Sequence, residues 1–285
     1  MSRIYVSRRV LRMIVILSNV LMVCVFTGCS TSNNQSNVAD ERYRFDVKVM
    51  SFNIAGDMDD DDGEWQQRMH EVAKVIASDK PDVIGFQEAY LGNFEIIQAD
   101  VPGYAYYGLN EMGNADDNDE SLRLFYRTDR WAIDDDESGI FWFTSTPEVP
   151  GSKDWGALWI RDCVYARLVE KDTNRGLYVY NSHWSYASQE SRSKSARLLI
   201  ERTQGQKHDD PFVIIGDLNA READESITYL KGRAGNPVPL KAAVYNYVDW
   251  VFSASGKFEV VSSEIIDNEE ASDHKAISAM IRFKN

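Results

Sequence analysis

The chain has 285 residues, 44% of them hydrophobic, and carries 45 Asp and Glu against 31 Lys and Arg, for a net charge of −14. That is enough apolar material for one large core, while the acid excess offers little of the counterion-release affinity that nucleic-acid binders need, so long DNA or RNA is disfavoured as a tightly held partner. Three cysteines, two of them close to the N-terminus, exclude a disulfide framework in the body of the chain.

Arg3, Arg8, Arg9 and Arg12 precede an uncharged run from Met13 to Gly28, which is followed by Cys29 and a polar stretch. This three-part layout predicts a signal peptide over residues 1–28, because the uncharged run is shorter than the roughly 20 residues a spanning helix needs. Small residues before Cys29 resemble a lipoprotein processing site. Cleavage there would make Cys29 the lipidated first residue and place the protein in the cell envelope, anchored to the outer membrane and facing the periplasm. Residues 29–41, rich in Ser, Asn, Thr and Gln without an apolar pattern, read as a tether. Losing the signal removes four arginines and no acid, moving the net charge from −14 to −18.

Residues 42–285 read as one domain with no linker and no internal repeat. Runs rich in β-branched and aromatic residues predict strands over 45–53, 83–87, 122–127, 164–169, 177–182, 212–216, 248–252 and 277–283. Two helices are expected. In the first, Trp65, Met69, Val72, Ala73 and Ile76 trace one apolar face that ends before Pro81. The second spans 189–204, with Ser188 as N-cap and Ala196, Leu199, Ile200 and Thr203 facing inward. Hairpins mixed with crossovers point to an α/β fold of packed sheets under outer helices.

Polar residues recur where the strands end. Val47-Lys48-Val49-Met50-Ser51-Phe52 stops at Asn53, Val83-Ile84-Gly85-Phe86-Gln87 at Glu88, and Phe212-Val213-Ile214-Ile215-Gly216 at Asp217-Leu218-Asn219. Asp249 and Asp273-His274 continue the pattern. Singly, each is an ordinary turn or cap residue. Aligned along one sheet edge, so many oxygen ligands suit Mg²⁺ or Mn²⁺. Zinc fits less well, because Cys163 stands alone on a predicted strand and the four histidines show no paired spacing.

The ordered series Met50-Ser51-Phe52-Asn53, Ile84-Gly85-Phe86-Gln87-Glu88, Asn181-Ser182-His183, Gly216-Asp217-Leu218-Asn219-Ala220, Val248-Asp249-Trp250-Val251-Phe252 and Ser272-Asp273-His274 resembles the endonuclease/exonuclease/phosphatase (DNase I-like) superfamily across residues 45–283. Phe125-Tyr126-Arg127-Thr128-Asp129-Arg130 and Pro150-Gly151-Ser152-Lys153-Asp154-Trp155 resemble its secreted bacterial branch, near the deadenylase-like members. The resemblance implies a four-layered α/β/β/α sandwich with its active site along the upper edge of two central sheets. It further implies that Glu88 is the principal metal ligand, with Asn53 and Asp273 completing or positioning the ion. Asp217 would deprotonate the attacking water and Asn219 hold the phosphate. His274, fixed by Asp249, would donate to a phosphoryl oxygen, and His183 would be a second donor or the leaving-group acid. Arg127 and Arg161 are candidate phosphate contacts, against the plainer reading of surface salt bridges.

Other features attract attention without carrying chemistry. The acidic run beginning at Asp57 fails the calcium-loop pattern, because Gly63 and Arg68 stand at the wrong places, and it reads as a solvated loop like the one over 116–120. Trp65, Trp131 and Trp142 read as core, whereas Trp155, Trp159 and Trp184 flank site motifs and are candidates for stacking on a base or sugar.

The expected function is therefore a Mg²⁺- or Mn²⁺-dependent phosphoester hydrolase, a monomer working outside the cytoplasm by in-line water attack on a phosphorylated small molecule, nucleotide or short oligonucleotide. A 3′-to-5′ exonuclease or endonuclease is the alternative within that class. An inactive binding lipoprotein is the alternative outside it, disfavoured because a binding module has no need for the complete residue set.

Overall fold

Strand β1 (Phe45–Asn53) sends Val47 and Val49 to one face and Met50 and Phe52 to the other, and all four are buried. A strand covered on both faces lies between two layers, which is why its sequence reads as a near-continuous apolar run. In this computed structural model the described residues are 45–56, 64–114, 120–268 and 271–284, within a unit spanning Tyr43–Asn285. The expected signal peptide, Cys29 and the tether lie outside them.

The chain continues through α1 (Glu64–Asp79), β2 (Val83–Ala89), α2 (Leu91–Asp100), β3 (Tyr104–Tyr107), β4 (Ser121–Arg127), β5 (Trp131–Trp142), β6 (Asp162–Glu170), β7 (Gly176–His183), α3 (Gln189–Gln204), β8 (Phe212–Asp217), α4 (Glu225–Leu230), β9 (Leu240–Asn246), β10 (Asp249–Ala254), β11 (Phe258–Ile265) and β12 (Ile277–Phe283). The strands form two six-stranded sheets, ordered β11-β12-β1-β2-β4-β3 and β5-β6-β7-β8-β10-β9. Near the centre of each lies a parallel pair, β1 with β2 and β7 with β8. Parallel neighbours need a crossover, and α1 and α3 supply it.

Three apolar clusters fill the three gaps between four layers. Val47, Val49, Val164, Val179, Val213 and Ile215 meet between the sheets. Met50 and Phe52 pack with Met69, Val72 and Ile76 of α1 and Phe94 and Ile97 of α2. On the far side, Ile214 and Trp250 pack with Leu199 and Ile200 of α3 and Ile227 and Leu230 of α4. This is the α/β/β/α sandwich that the resemblance implied.

Both expected helices form, and Ser188 Oγ accepts from Ser191 N at 3.1 Å as the N-cap of α3. The expectation of only two helices is corrected to four among the described residues. Helix α2 escaped the pattern because its start is organised by a polar side chain, Asn93, whose Oδ1 accepts from Tyr90 N at 2.7 Å. Trp131 and Trp142 are buried as expected, and Cys163 is a buried free thiol on β6.

Candidate active site

In β1, β7 and β8 the side chains facing the other sheet are apolar until the upper edge, where they turn polar. The inner row of β1 runs Val47, Val49, Ser51, Asn53, that of β7 runs Leu177, Val179, Asn181, His183, and that of β8 runs Val213, Ile215, Asp217. Strand β10 runs the other way and begins with Asp249. Register aligns these ends, with Asn53 beside Gln87, His183 beside Asp217, and Asp217 beside Asp249.

Just beneath them the sheets are tied by amides. Gln87 Nε2 donates to Asn181 Oδ1 at 2.7 Å, and Asn181 Nδ2 donates to the carbonyls of Phe86 at 2.8 Å and Arg123 at 3.1 Å. Gly85 makes room for this tie, because a Cβ there would lie 2.6 Å from Asn181 Oδ1. Buried amides bonded in this way fix the spacing of the two sheet edges.

Strict alternation would turn Glu88 away from Gln87. Instead Glu88 has φ +52, and the β2–β4 register shifts between Phe86 and Ala89. This bulge re-aims a side chain at the cost of local strain, as bulges beside sites commonly do. Glu88 Oε1 thereby accepts from Asn53 Nδ2 at 2.9 Å, and the same Nδ2 reaches Asp217 Oδ2 at 3.2 Å. His183 Nε2 lies 3.7 Å from Glu88 Oε1 and 3.6 Å from Asp217 Oδ2. Glu88, His183 and Asp217 offer ligand atoms all within 4.8 Å of one another. Two carboxylates from opposite sheets converging here fit a hard divalent cation. Asn53 turns its amide nitrogen to them, its Oδ1 being taken by Ala55 N at 3.1 Å.

A second group, Asp217, Asp249 and His274, shares Asp217 with the first. His274 Nδ1 lies 3.0 Å from Asp249 Oδ2, and its Nε2 3.9 Å from Asp217 Oδ2. Burial alone would lower the imidazole, but the hydrogen bond and charge of Asp249, then Asp217 and Asp273, raise it to about 9. Burial, more than any neighbour, pushes the Asp249 carboxyl up. Asn219 is in the left-handed region at φ +47, its N–H donating to Asp217 Oδ1 at 2.8 Å and its Nδ2 to the Trp184 carbonyl at 2.9 Å. Ser272 Oγ donates to the Asn53 carbonyl at 2.8 Å and accepts from His274 N at 3.1 Å, tying the 272–274 turn to the end of β1.

On the other flank Arg161 Nη1 lies 3.2 Å from His183 Nδ1 and 3.5 Å from Glu120 Oε1. His183 Nδ1 thus faces both the guanidinium and, at 3.6 Å, Glu120 Oε1, while its Nε2 faces the carboxylates of Glu88 and Asp217. Burial would raise Glu120, but His183 and Arg161 outweigh it and hold the carboxyl below the usual range.

Of the residues singled out in the sequence, Asn53, Glu88, His183, Asp217, Asn219, Asp249, His274 and Arg161 come together. Asp273 is exposed, outside both groups of metal-capable side chains among the described residues, since its neighbours Ser272 and His274 hold the inward contacts. Arg127 does not reach the cleft: it ends β4 at the lower edge and pairs with Asp129 and Asp82, the plain salt-bridge reading. Trp184 is fully buried against Phe143, so it cannot stack on a ligand, and Trp155 lies half-buried under Lys194. From sequence Glu120 reads only as part of the solvated 116–120 loop, because an acid directly before a strand carries no signal for its partner.

A model of the Endonuclease/Exonuclease/phosphatase family matches residues 50–274. The crystal structure of a protein of that family from Bacteroides vulgatus is 25% identical with a TM-score of 0.77, covering 84% of this chain and 100% of that one. A mannosyl-6-phosphatase from Bacteroides thetaiotaomicron is 25% identical with a TM-score of 0.71, over 82% of this chain and 99% of the other. The human Nocturnin catalytic domain shares the fold at 17% identity, with a TM-score of 0.66 over 85% of this chain and 98% of its own. An uncharacterized protein of Acanthamoeba polyphaga mimivirus, L388, is 29% identical over 170 residues, 55% of this chain and 59% of that protein's length.

Proposed function

The chain belongs to the endonuclease/exonuclease/phosphatase family, and from that premise we propose that it is a divalent-metal-dependent phosphoester hydrolase acting outside the cytoplasm on a phosphorylated small molecule, nucleotide or short oligonucleotide. The observation that carries this reading is the convergence of Glu88, His183, Asp217, Asp249 and His274 from both sheets on one edge. Glu88, with Asp217 and Asn53 beside it, is where Mg²⁺ or Mn²⁺ would be held. When bound, the cation supplies positive charge to the phosphoryl oxygens and the leaving oxygen.

The chain's own groups account for the rest. Asp217, held by Asn219 N–H and close to both histidines, takes the proton of the attacking water. His274, kept cationic by Asp249, donates from Nε2 to a phosphoryl oxygen, and His183 donates from its own Nε2 on the opposite flank. Asn219, positioned by the Trp184 carbonyl, helps hold the phosphate. The Bacteroides mannosyl-6-phosphatase supports a phosphorylated sugar as one candidate substrate. The signal-like N-terminus and Cys29 support a lipid-anchored envelope protein.

Hydrolysis of a generic phosphomonoester and phosphodiester with added Mn²⁺ or Mg²⁺ tests the reading. EDTA is expected to abolish turnover, and Glu88→Ala to lower it on the order of 10³-fold or more. Turnover that survives both chelation and the substitution overturns it. Comparing single-stranded RNA, duplex DNA, mononucleotides and sugar phosphates then separates the nuclease alternative from the phosphatase.

A further inference from the structure

Four aromatic side chains are strongly exposed among the described residues, and three of them surround the upper edge. Trp159 is 60% exposed and precedes Arg161 by two positions, Tyr186 is 57% exposed three positions after His183, and Tyr247 is 58% exposed two positions before Asp249. The fourth, Tyr245, is engaged, stacked on Trp250 at 4.3 Å and bonded to Glu222. The loops bearing Trp159 and Tyr186 abut, since Ser188 Oγ donates to the Trp155 carbonyl at 2.7 Å. The turn bearing Tyr247 meets the Asp217–Asn219 segment, Leu218 N donating to the Val248 carbonyl at 3.0 Å.

Tyr247 is expensive where it stands. The two-residue connection between β9 and β10 puts it at φ +56, a position that turn chemistry gives to Gly or Asn, and a bulky residue there is strained. The ring is nonetheless left in solvent, with the Arg221 guanidinium 4.3 Å from its centroid on one face. That cation–π contact leaves the rest of the ring to solvent.

Resting on the phosphoester-hydrolase reading, we propose that Trp159, Tyr186 and Tyr247 bind the ring of the substrate's leaving group, and that this ring is a sugar, so that the substrate class is a sugar monophosphate. The rings stand on separate turns, each an open platform rather than one wall of a slot. A pyranose suits such platforms, because its apolar C–H face rests on the electron-rich ring face while its hydroxyls stay in water. Each of those hydroxyls can donate to the carboxylates of a strongly acidic chain as well as accept from water, whereas a nucleobase offers few donors beside ring nitrogens and carbonyls that carboxylates cannot satisfy. A single phosphate further limits repulsion from the net negative charge.

Steady-state kinetics of the full-length protein on a hexose 6-phosphate, glycerol 3-phosphate and adenosine 5′-monophosphate provide the test. Trp159→Ala and Tyr247→Ala are each expected to raise KM for the hexose phosphate by about three- to tenfold with kcat within about twofold, Trp159→Phe to restore it, and the ringless ester to keep its kcat/KM. Hexose phosphate is also expected to perturb tryptophan fluorescence in EDTA, and Trp159→Ala to abolish that change. The proposal is overturned by equal losses on glycerol 3-phosphate, by losses confined to the nucleotide, or by an unchanged hexose KM. Turnover of all three esters with unaltered variants removes the rim proposal alone, whereas no turnover of any ester by the wild type removes the hydrolase reading beneath it.

Discussion

The two flanks of the cleft each present a histidine to Asp217, and they hold it in opposite ways. On one flank His274 leans on a carboxylate, Asp249, which keeps the ring charged up to about pH 9. On the other, His183 rests its Nδ1 against the Arg161 guanidinium and turns its Nε2 to the carboxylates of Glu88 and Asp217. A phosphoryl group between them would meet one imidazole backed by a carboxylate and one backed by a guanidinium. Identical side chains are thus given different tasks by what stands behind them.

Removing the charge behind His274 is the largest test of that contrast. Asp249→Asn keeps an acceptor for Nδ1 but loses the carboxylate, and the imidazole should fall from about 9 toward its ordinary value of about 6.5. A raised folded-state value means the protonated ring is retained until pH passes about 9, so the fall in the wild-type rate that His274 causes should lie on that alkaline side. In the variant the same limb should lie near pH 6.5, and at pH 8 the protonated fraction drops about 30-fold, within an expected kcat loss of 10²–10³. A pH–rate profile whose alkaline limb does not move would show that His274 does not act as the cation.

A smaller effect is expected on the other flank. Arg161→Lys keeps a charge but loses the rigid guanidinium whose Nη1 serves His183 and Glu120 together, and should lower kcat about tenfold. Because His274 is untouched, the alkaline limb should stay near pH 9 while the rate falls. If Arg161→Lys and Asp249→Asn shift the profile alike, the two flanks do not have separate roles.

How much of this was legible in the sequence follows the same line between centre and margin. The eight predicted strands are the eight inner strands of the two sheets, while β3, β5, β9 and β11, which it did not contain, are the four edges. An inner strand is covered on both faces and shows as an apolar run. An edge such as β11 is exposed along most of its length and shows nothing, and β5 is broken by Asp134 to Glu137, where its pairing shifts. The site was readable where a polar residue ends an apolar run, as at Asn53 and Asp217, or begins one, as at Asp249. It was not readable at Glu120, whose partners come from other strands, or at Arg127, whose motif gives no sign of which end of β4 it occupies. Nor does any spacing reveal that Glu88 leaves the extended conformation to face the same way as Gln87.

The smallest expected effect concerns what lies behind Arg161. Asp162 is buried at the head of β6 with its Oδ2 unpartnered, and burial first, then Glu111, pushes its carboxyl up to about 8, against the pull of Arg161 and Arg123. At neutral pH it is therefore a neutral acid, which leaves the Arg161 charge directed at Glu120 and His183. An acid raised in the folded state binds its proton more tightly there than in the unfolded chain, so it costs stability progressively as pH rises from about 4 to about 8. Asp162→Asn, which mimics the neutral form, should match the wild type near pH 4 and exceed it increasingly as pH rises toward 8, read as a Tm difference that grows with pH. A difference that is the same at both pH values would mean that Asp162 is already ionised in the folded protein, and the two flanks would then differ in charge less than their hydrogen bonds indicate.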